Sequence, residues 1–236
     1  MHIRVSAAWL ALGCVALPWV ASAQEVPTAS AAEPLVDAVA APDAPAADAV
    51  EPSSEIVAQM AQWITASRDN GDLPFMIIDK VAAEVIIFDA QGQFLGAAPA
   101  LLGIAPGDES APGVGDRELS AIKPEDRTTP AGRFVAKYGI GSGNRKVLWV
   151  DYVTAISLHP VVTANKKERR LQRLNSPSPE DNRITYGCIN VPASFYAKVV
   201  SPLFKETSGV VYILPETKPL NEVFAAFHAQ GQPSPP

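Results

Sequence analysis

A predominantly β domain with flanking helices is the fold that this 236-residue sequence predicts. Three observations lead there. Short runs rich in Ile, Val and Phe recur along the chain, bounded by clusters of Gly, Pro, Asn and Asp that read as turns. Helical periodicity is confined to a few short segments outside and between those runs. Strands separated mainly by turns and loops, without an internal repeat, fit a β domain better than an alternating α/β one.

The elements follow in order. Met1 to Arg4 is positively charged, residues 5–20 are apolar, and Ala21-Ser22-Ala23 supplies the small residues that a signal peptidase reads. Residues 1–23 are therefore expected to be a cleaved export signal, which makes the protein periplasmic or secreted. The apolar run is short for a bilayer and Pro18 interrupts it, and nothing later is long and apolar enough to span, so no integral membrane span is expected after signal removal. A lipoprotein anchor at Cys14 is disfavoured because Leu12 stands one position away from where the lipobox wants it. Residues 24–53, made of Ala, Pro, Val, Glu and Asp without an aromatic residue, are expected to be a disordered linker, serving either as reach or as a plain spacer.

Residues 54–236 form the expected domain. Ser53-Ser54-Glu55 is a helix-start signal, followed by Ile56, Met60, Trp63 and Ile64 at helical spacing and a stop at Asn70-Gly71. Residues 75–79 and 84–89 read as strand-turn-strand, with apolar character resuming at Phe94. Residues 105–130, crowded with Gly, Pro, Asp and Ser, read as a long loop of the kind that serves or covers a site. Residues 132–140 and 146–158 read as one strand each, and 209–214 as a last one. Between these lie a basic helix-like segment, a Pro-rich loop and a helix around 193–204, and a final helix is expected over 220–227.

A formal charge of -6 argues against nucleic acid as a partner. Much of the acid sits before residue 56, so the stretch Lys166-Lys167-Glu168-Arg169-Arg170 stands out, and a solvated helix face explains it better than a substrate-facing patch. Export would leave Cys188 as the only thiol, because Cys14 lies in the signal. On that count alone a free cysteine is first of all a small buried hydrophobe.

Its neighbours reverse the ranking. Along Thr154 to His159, side chains alternate, so Ala155, Ser157 and His159 share one face while Thr154, Ile156 and Leu158 share the other. Pro160 keeps His159 extended and puts it at a strand end. In Ile184-Thr185-Tyr186-Gly187-Cys188-Ile189-Asn190, Gly187 permits a tight turn that could present the amides of Tyr186, Gly187 and Cys188 beside the sulfur. Acyl transfer needs such donors for its oxyanion, and a histidine to take the thiol proton and return it to the leaving amine. One Cys and two His far apart give no metal-ligand spacing, so neither metal nor cofactor is expected.

These residues resemble the L,D-transpeptidase catalytic domain, the YkuD-like fold. Its signature is a histidine followed at a distance by Ser/Thr-His-Gly-Cys, an apolar residue, and Asn or Arg. This chain supplies His159, then Thr185, Gly187, Cys188, Ile189 and Asn190. Thr129-Pro130-Ala131-Gly132-Arg133-Phe134 resembles the family's Thr-Pro-x-Gly-x-Phe strand entry, and Gly209 to Ile213 its closing strand. The resemblance spans about 75–215 and implies a sandwich or barrel-like domain acting on peptidoglycan stem peptides, in wall biogenesis and cell shape. It implies Cys188 as nucleophile, His159 as base, the Pro160 carbonyl as its orienter and Asn190 as a brace for the loop. Arg173, Arg183 and Thr185 are the matching candidates for substrate binding, the arginines through a carboxylate. Two departures stand out: Tyr186 replaces the signature histidine, and residues 160–184 make a longer spacing than usual, with 161–182 as an expected insertion. The acceptor stays open: an amine gives a cross-link or an attached protein, water gives an L,D-carboxypeptidase or amidase, and a non-catalytic wall-binding module is the alternative from another class.

Overall fold

The computed structural model describes residues 54–141 and 144–227. The expected export signal, the linker at 24–53, Cys14 and His228 lie outside the described residues. Helix α1 (Glu55–Ser67) starts after Ser54, whose carbonyl rather than hydroxyl takes the first free amides, those of Val57 and Ala58. It buries Val57, Met60, Ala61 and Ile64. The helix stops before the Asn70-Gly71 signal because Arg68 turns left-handed, at a φ of 56°, and the amides of Arg68 and Asp69 fold back onto Thr65 and Ile64. Asn70 pins the next turn instead, its Nδ2 donating to the carbonyls of Leu73 and Ala90.

Ten strands follow: β1 (Phe75–Asp79), β2 (Glu84–Phe88), β3 (Phe94–Pro99), β4 (Leu102–Gly103), β5 (Gly132–Ile140), β6 (Lys146–Asp151), β7 (Ile156–Pro160), β8 (Arg183–Thr185), β9 (Ile189–Val191) and β10 (Gly209–Ile213). Eight form one sheet in the order β3-β2-β1-β10-β5-β6-β7-β9, while β4 and β8 pair separately. Neighbours in the large sheet are antiparallel except β1 with β10 and β7 with β9. The β-rich build is thus as the sequence predicts.

Strands β1, β2 and β10 are apolar at consecutive positions because both of their faces are covered. One set, including Phe75, Ile77, Ile86 and Tyr212, packs against α1 and against Phe224 and Phe227. The alternate set, including Met76, Ile78, Ile87 and Val211, shares a core with Leu148, Leu158, Ile189, Val200 and Phe204. Residues from both ends of the strand order therefore meet in one interior, and the sheet curls around it.

Three sequence expectations are corrected. Residues 146–158 are two strands, not one, because Asp151 accepts the Val153 amide and the Thr154 hydroxyl at 3.0 and 2.5 Å and turns the chain, with Ala155 left-handed at a φ of 59°. The helical run after β9 is interrupted: α3 (Ala193–Phe195) and α4 (Ser201–Phe204) flank a wider π turn over Tyr196–Val200. Pro202, lacking an amide hydrogen, cannot close a regular bond to the turn before it. The terminal helix α5 covers only Leu220–Val223, because Phe224 leaves helical geometry so that both it and Phe227 enter the core beside α1. The basic segment gives a short turn and helix α2 (Arg170–Leu174).

The long 105–130 loop is held by a buried cation. Lys80 is 1% exposed, and its Nζ donates to Asp108 Oδ1 at 2.7 Å and to the carbonyls of Gly107 and Thr129 at 2.5 and 3.0 Å. Asp108 also accepts the amides of Glu216, Thr217 and Lys218. Burial alone would push the Asp108 carboxyl up, but the bonds from Lys80, Thr217 and these amides outweigh it and hold the group well below the ordinary carboxylate range. A depressed carboxyl stabilises the fold above its unfolded value of about 4, and that contribution is lost as pH falls below it. Asp108→Asn is expected to lose roughly 2–3 kcal/mol at neutral pH, since it removes the closer of the two carboxylates facing the buried Lys80 and leaves only Glu216, 3.4 Å away. Urea unfolding followed between pH 7 and pH 2 should show the wild-type stability falling more steeply than that of the variant.

Candidate active site

Parallel pairing of β7 with β9 sets Leu158 opposite Ile189, His159 opposite Asn190 and Pro160 opposite Val191. Leu158 and Ile189 point into the core, so the alternate positions, Ser157, His159 and Cys188, meet on the other side. Cys188 is half-buried. Its Sγ lies 3.6 Å from Ser157 Oγ and donates to the Ala155 carbonyl at 3.6 Å. Burial pushes the thiol up, yet interactions with the His159 side chain and with Ser157, together with the charge of His159, bring it below its ordinary value.

The turn before the thiol is fixed from three sides. The Thr185 hydroxyl accepts the Gly187 amide at 3.1 Å and donates to the Cys188 carbonyl at 2.7 Å. Thr129 Oγ1 donates to the Gly187 carbonyl at 2.8 Å while accepting the Gly103 amide at 2.9 Å. Gly187 has a φ of 121°, and a Cβ there would lie 2.7 Å from the Thr128 carbonyl oxygen and 2.8 Å from Ile156 Cδ1. Of the three amides expected around an oxyanion, that of Gly187 is therefore engaged. Those of Tyr186 and Cys188 have no acceptor in the hydrogen-bond network of the described residues.

The imidazole is fixed at both nitrogens. Nδ1 lies 2.9 Å from the Pro160 carbonyl and Nε2 lies 3.1 Å from Asn190 Nδ2. Asn190, 1% exposed, thus braces the histidine rather than the loop, and Thr185 braces the loop. Neither candidate arginine shares a hydrogen bond with Cys188, His159 or Asn190. Arg183 ion-pairs with Glu216 and donates to the Lys80 carbonyl, and Arg173 donates to the carbonyls of Glu168 and Asp181.

Three residues that sequence reasoning did not assign a role join the site. Ser157 was legible as a face-mate of His159. Arg127 lies with its guanidinium 3.9 Å from the centre of the Tyr186 ring while donating to the Ile122 carbonyl. Arg170 donates to Asn190 Oδ1 at 2.8 Å. Both contacts join segments far apart in sequence, and no spacing pattern announces them. The described residues hold no cluster of three or more His, Cys, Asp or Glu arranged for a metal ion. No helix among them is long and apolar enough to cross a membrane.

No protein-family model and no curated protein matches the sequence. Several solved structures are similar to it. L,D-transpeptidase 1 of Mycobacterium tuberculosis is 14% identical over 60% of this chain and 60% of its own, with a TM-score of 0.33. The catalytic domain of the E. faecium L,D-transpeptidase is 14% identical over 61% of this chain and 98% of its own, with a TM-score of 0.35. The helical cell shape determining protein Pgp2 of Campylobacter jejuni is 9% identical over 68% of this chain and 56% of its own, with a TM-score of 0.40. The chain thus spans less than two thirds of the first and third of these structures.

Substituting Gly187 tests how firmly the thiol's turn is fixed. Gly187→Ala is expected to cost about 1–3 kcal/mol from the left-handed backbone alone, and more from the two close approaches. A thermal melt should show the loss, and an unchanged midpoint would mean that the turn is free to move.

Proposed function

We propose that the chain is an exported cysteine acyltransferase acting on peptidoglycan stem peptides, an L,D-transpeptidase in reaction type. The observation that carries this reading is the convergence of Cys188 and His159 on one face of the β7–β9 pair, with the imidazole's far nitrogen on the Pro160 carbonyl. His159 Nε2 takes the proton from Sγ, and the thiolate attacks a peptide carbonyl next to a D-centre. The amides of Tyr186 and Cys188 are the donors left to receive the oxyanion. The peptide C–N bond breaks, the terminal residue leaves with the proton held on Nε2, and the acyl group on sulfur passes to an amine, forming a cross-link or an attachment. Water in place of the amine gives the carboxypeptidase outcome with the same residues.

Two features of the site bear on substrate. Arg127, stacked on Tyr186 two residues from the thiol, puts a permanent positive charge where the signature carries an imidazole. Its Nη1 makes no hydrogen bond among the described residues, so it suits a substrate carboxylate better than Arg173 or Arg183, whose donors are engaged internally. Export, periplasmic placement and the linker's reach belong to the same proposal, since they rest on the first 53 residues.

The test is digestion of peptidoglycan with purified protein, followed by mass spectrometry of the muropeptides. Wild type is expected to yield new cross-linked or trimmed species that Cys188→Ala does not make. Identical products from the two proteins would remove the thiol from the chemistry.

A further inference from the structure

Arg170, in the segment between the histidine and the cysteine, lies outside the signature residues yet reaches the site through one intermediary. Its Nη1 donates to Asn190 Oδ1 at 2.8 Å. A guanidinium carries only donors, so the amide oxygen of Asn190 must face it and the amide nitrogen must face away. That nitrogen lies 3.1 Å from His159 Nε2, where an N–H group requires an acceptor. At the other end of the ring the Pro160 carbonyl, 2.9 Å from Nδ1, requires a donor. One species satisfies both: neutral imidazole with its proton on Nδ1 and its Nε2 pair accepting from Asn190.

We propose, on the acyl-transfer reading given above, that Arg170 is a positioning residue: through Asn190 it holds His159 in the tautomer that accepts the Cys188 proton and returns it readily. When Nε2 takes that proton, the S–H bond breaks and an N–H bond forms, and Nε2–H then confronts the N–H of Asn190. Two donors then face one another, a contact that is relieved when the proton passes to the departing amine. The row is sheltered enough for water to compete poorly, with the Arg170 side chain 14% exposed and Asn190 1% exposed.

Arg170 is ion-paired with Glu168 at 2.5 Å. Tyr186 lies beneath Arg127. Asp151 of β6 is engaged by the Val153 amide and the Thr154 hydroxyl. Arg170→Leu, which has no donor, would free the Asn190 amide to turn its oxygen toward Nε2–H, and the released Glu168 carboxylate would act in the same direction. The imidazolium and thiolate would then coexist at lower pH.

The rate of Cys188 alkylation by iodoacetamide, measured against pH, reads this directly and needs no wall substrate. The midpoint for Arg170→Leu is expected to fall by roughly one pH unit, the size of one hydrogen bond to a charged group. Arg170→Lys, which keeps a donor at Oδ1, should restore the wild-type midpoint. Equal midpoints in all three proteins overturn the proposal, because an arginine that merely fastens α2 to β9 would leave the profile unmoved. Nitrogen-15 spectra of histidine-labelled wild type give an answer that does not depend on a variant folding. Nε2 should resonate as an unprotonated nitrogen in the resting protein, and a proton found there instead of on Nδ1 overturns the assignment. A shifted profile in a protein that makes no muropeptide products would retain the positioning role while removing the peptidoglycan reading.

Discussion

Everything at the candidate site depends on β7 and β9 lying parallel in one register. A parallel pair cannot be closed by a hairpin and needs a crossover of a dozen or more residues. Residues 161–188, with α2, β8 and the turn before the thiol, are that crossover. The stretch that looks like an insertion in the sequence therefore has a structural task. Because side chains alternate, the register that buries Leu158 and Ile189 also aims Ser157 and His159 toward Cys188. A slip of one residue would bury the histidine and expose the core.

The site is made rigid by contacts that involve neither the thiol nor the imidazole. Thr129 ties the end of the long loop to the Gly187 carbonyl, and Lys80 holds the other part of that loop through Asp108 and Gly107. A fully buried ammonium is costly unless paired and hydrogen-bonded, and here it is both. Its cost is offset by fixing several backbone carbonyls and a carboxylate at once, which positions loop 105–130 against the turn that carries the thiol. Preorganisation of this kind is what a thiolate chemistry with a developing oxyanion requires, since donors that had to reorganise during reaction would contribute less.

Much of the fold was legible because the strands announce themselves by β-branched runs and turn residues: β1, β5 and β10 begin where their composition predicts. What was not legible follows from side chains that act against local propensity. The Asp151 carboxylate cuts a run rich in apolar residues into a hairpin, and the two C-terminal phenylalanines break a helical pattern to reach the core. The strand order, with β10 inserted between β1 and β5, is a long-range property that no local pattern encodes. At the site, Cys188, His159, Pro160 and Asn190 stood out by motif, while Arg127 and Arg170 did not, because each is brought in by tertiary packing from a segment that looks like ordinary loop or solvated helix.

The central claim is that the fold turns Cys188 from a buried thiol into an activated one, acting through His159. The most direct measurement is the rate at which Cys188 is acylated by a carbapenem at neutral pH, followed by intact-protein mass spectrometry beside a model thiol. The account predicts that the wild-type protein reacts faster than the model thiol and that His159→Ala brings the rate back to it. A wild-type rate no greater than that of the model thiol, unchanged in His159→Ala, would contradict it.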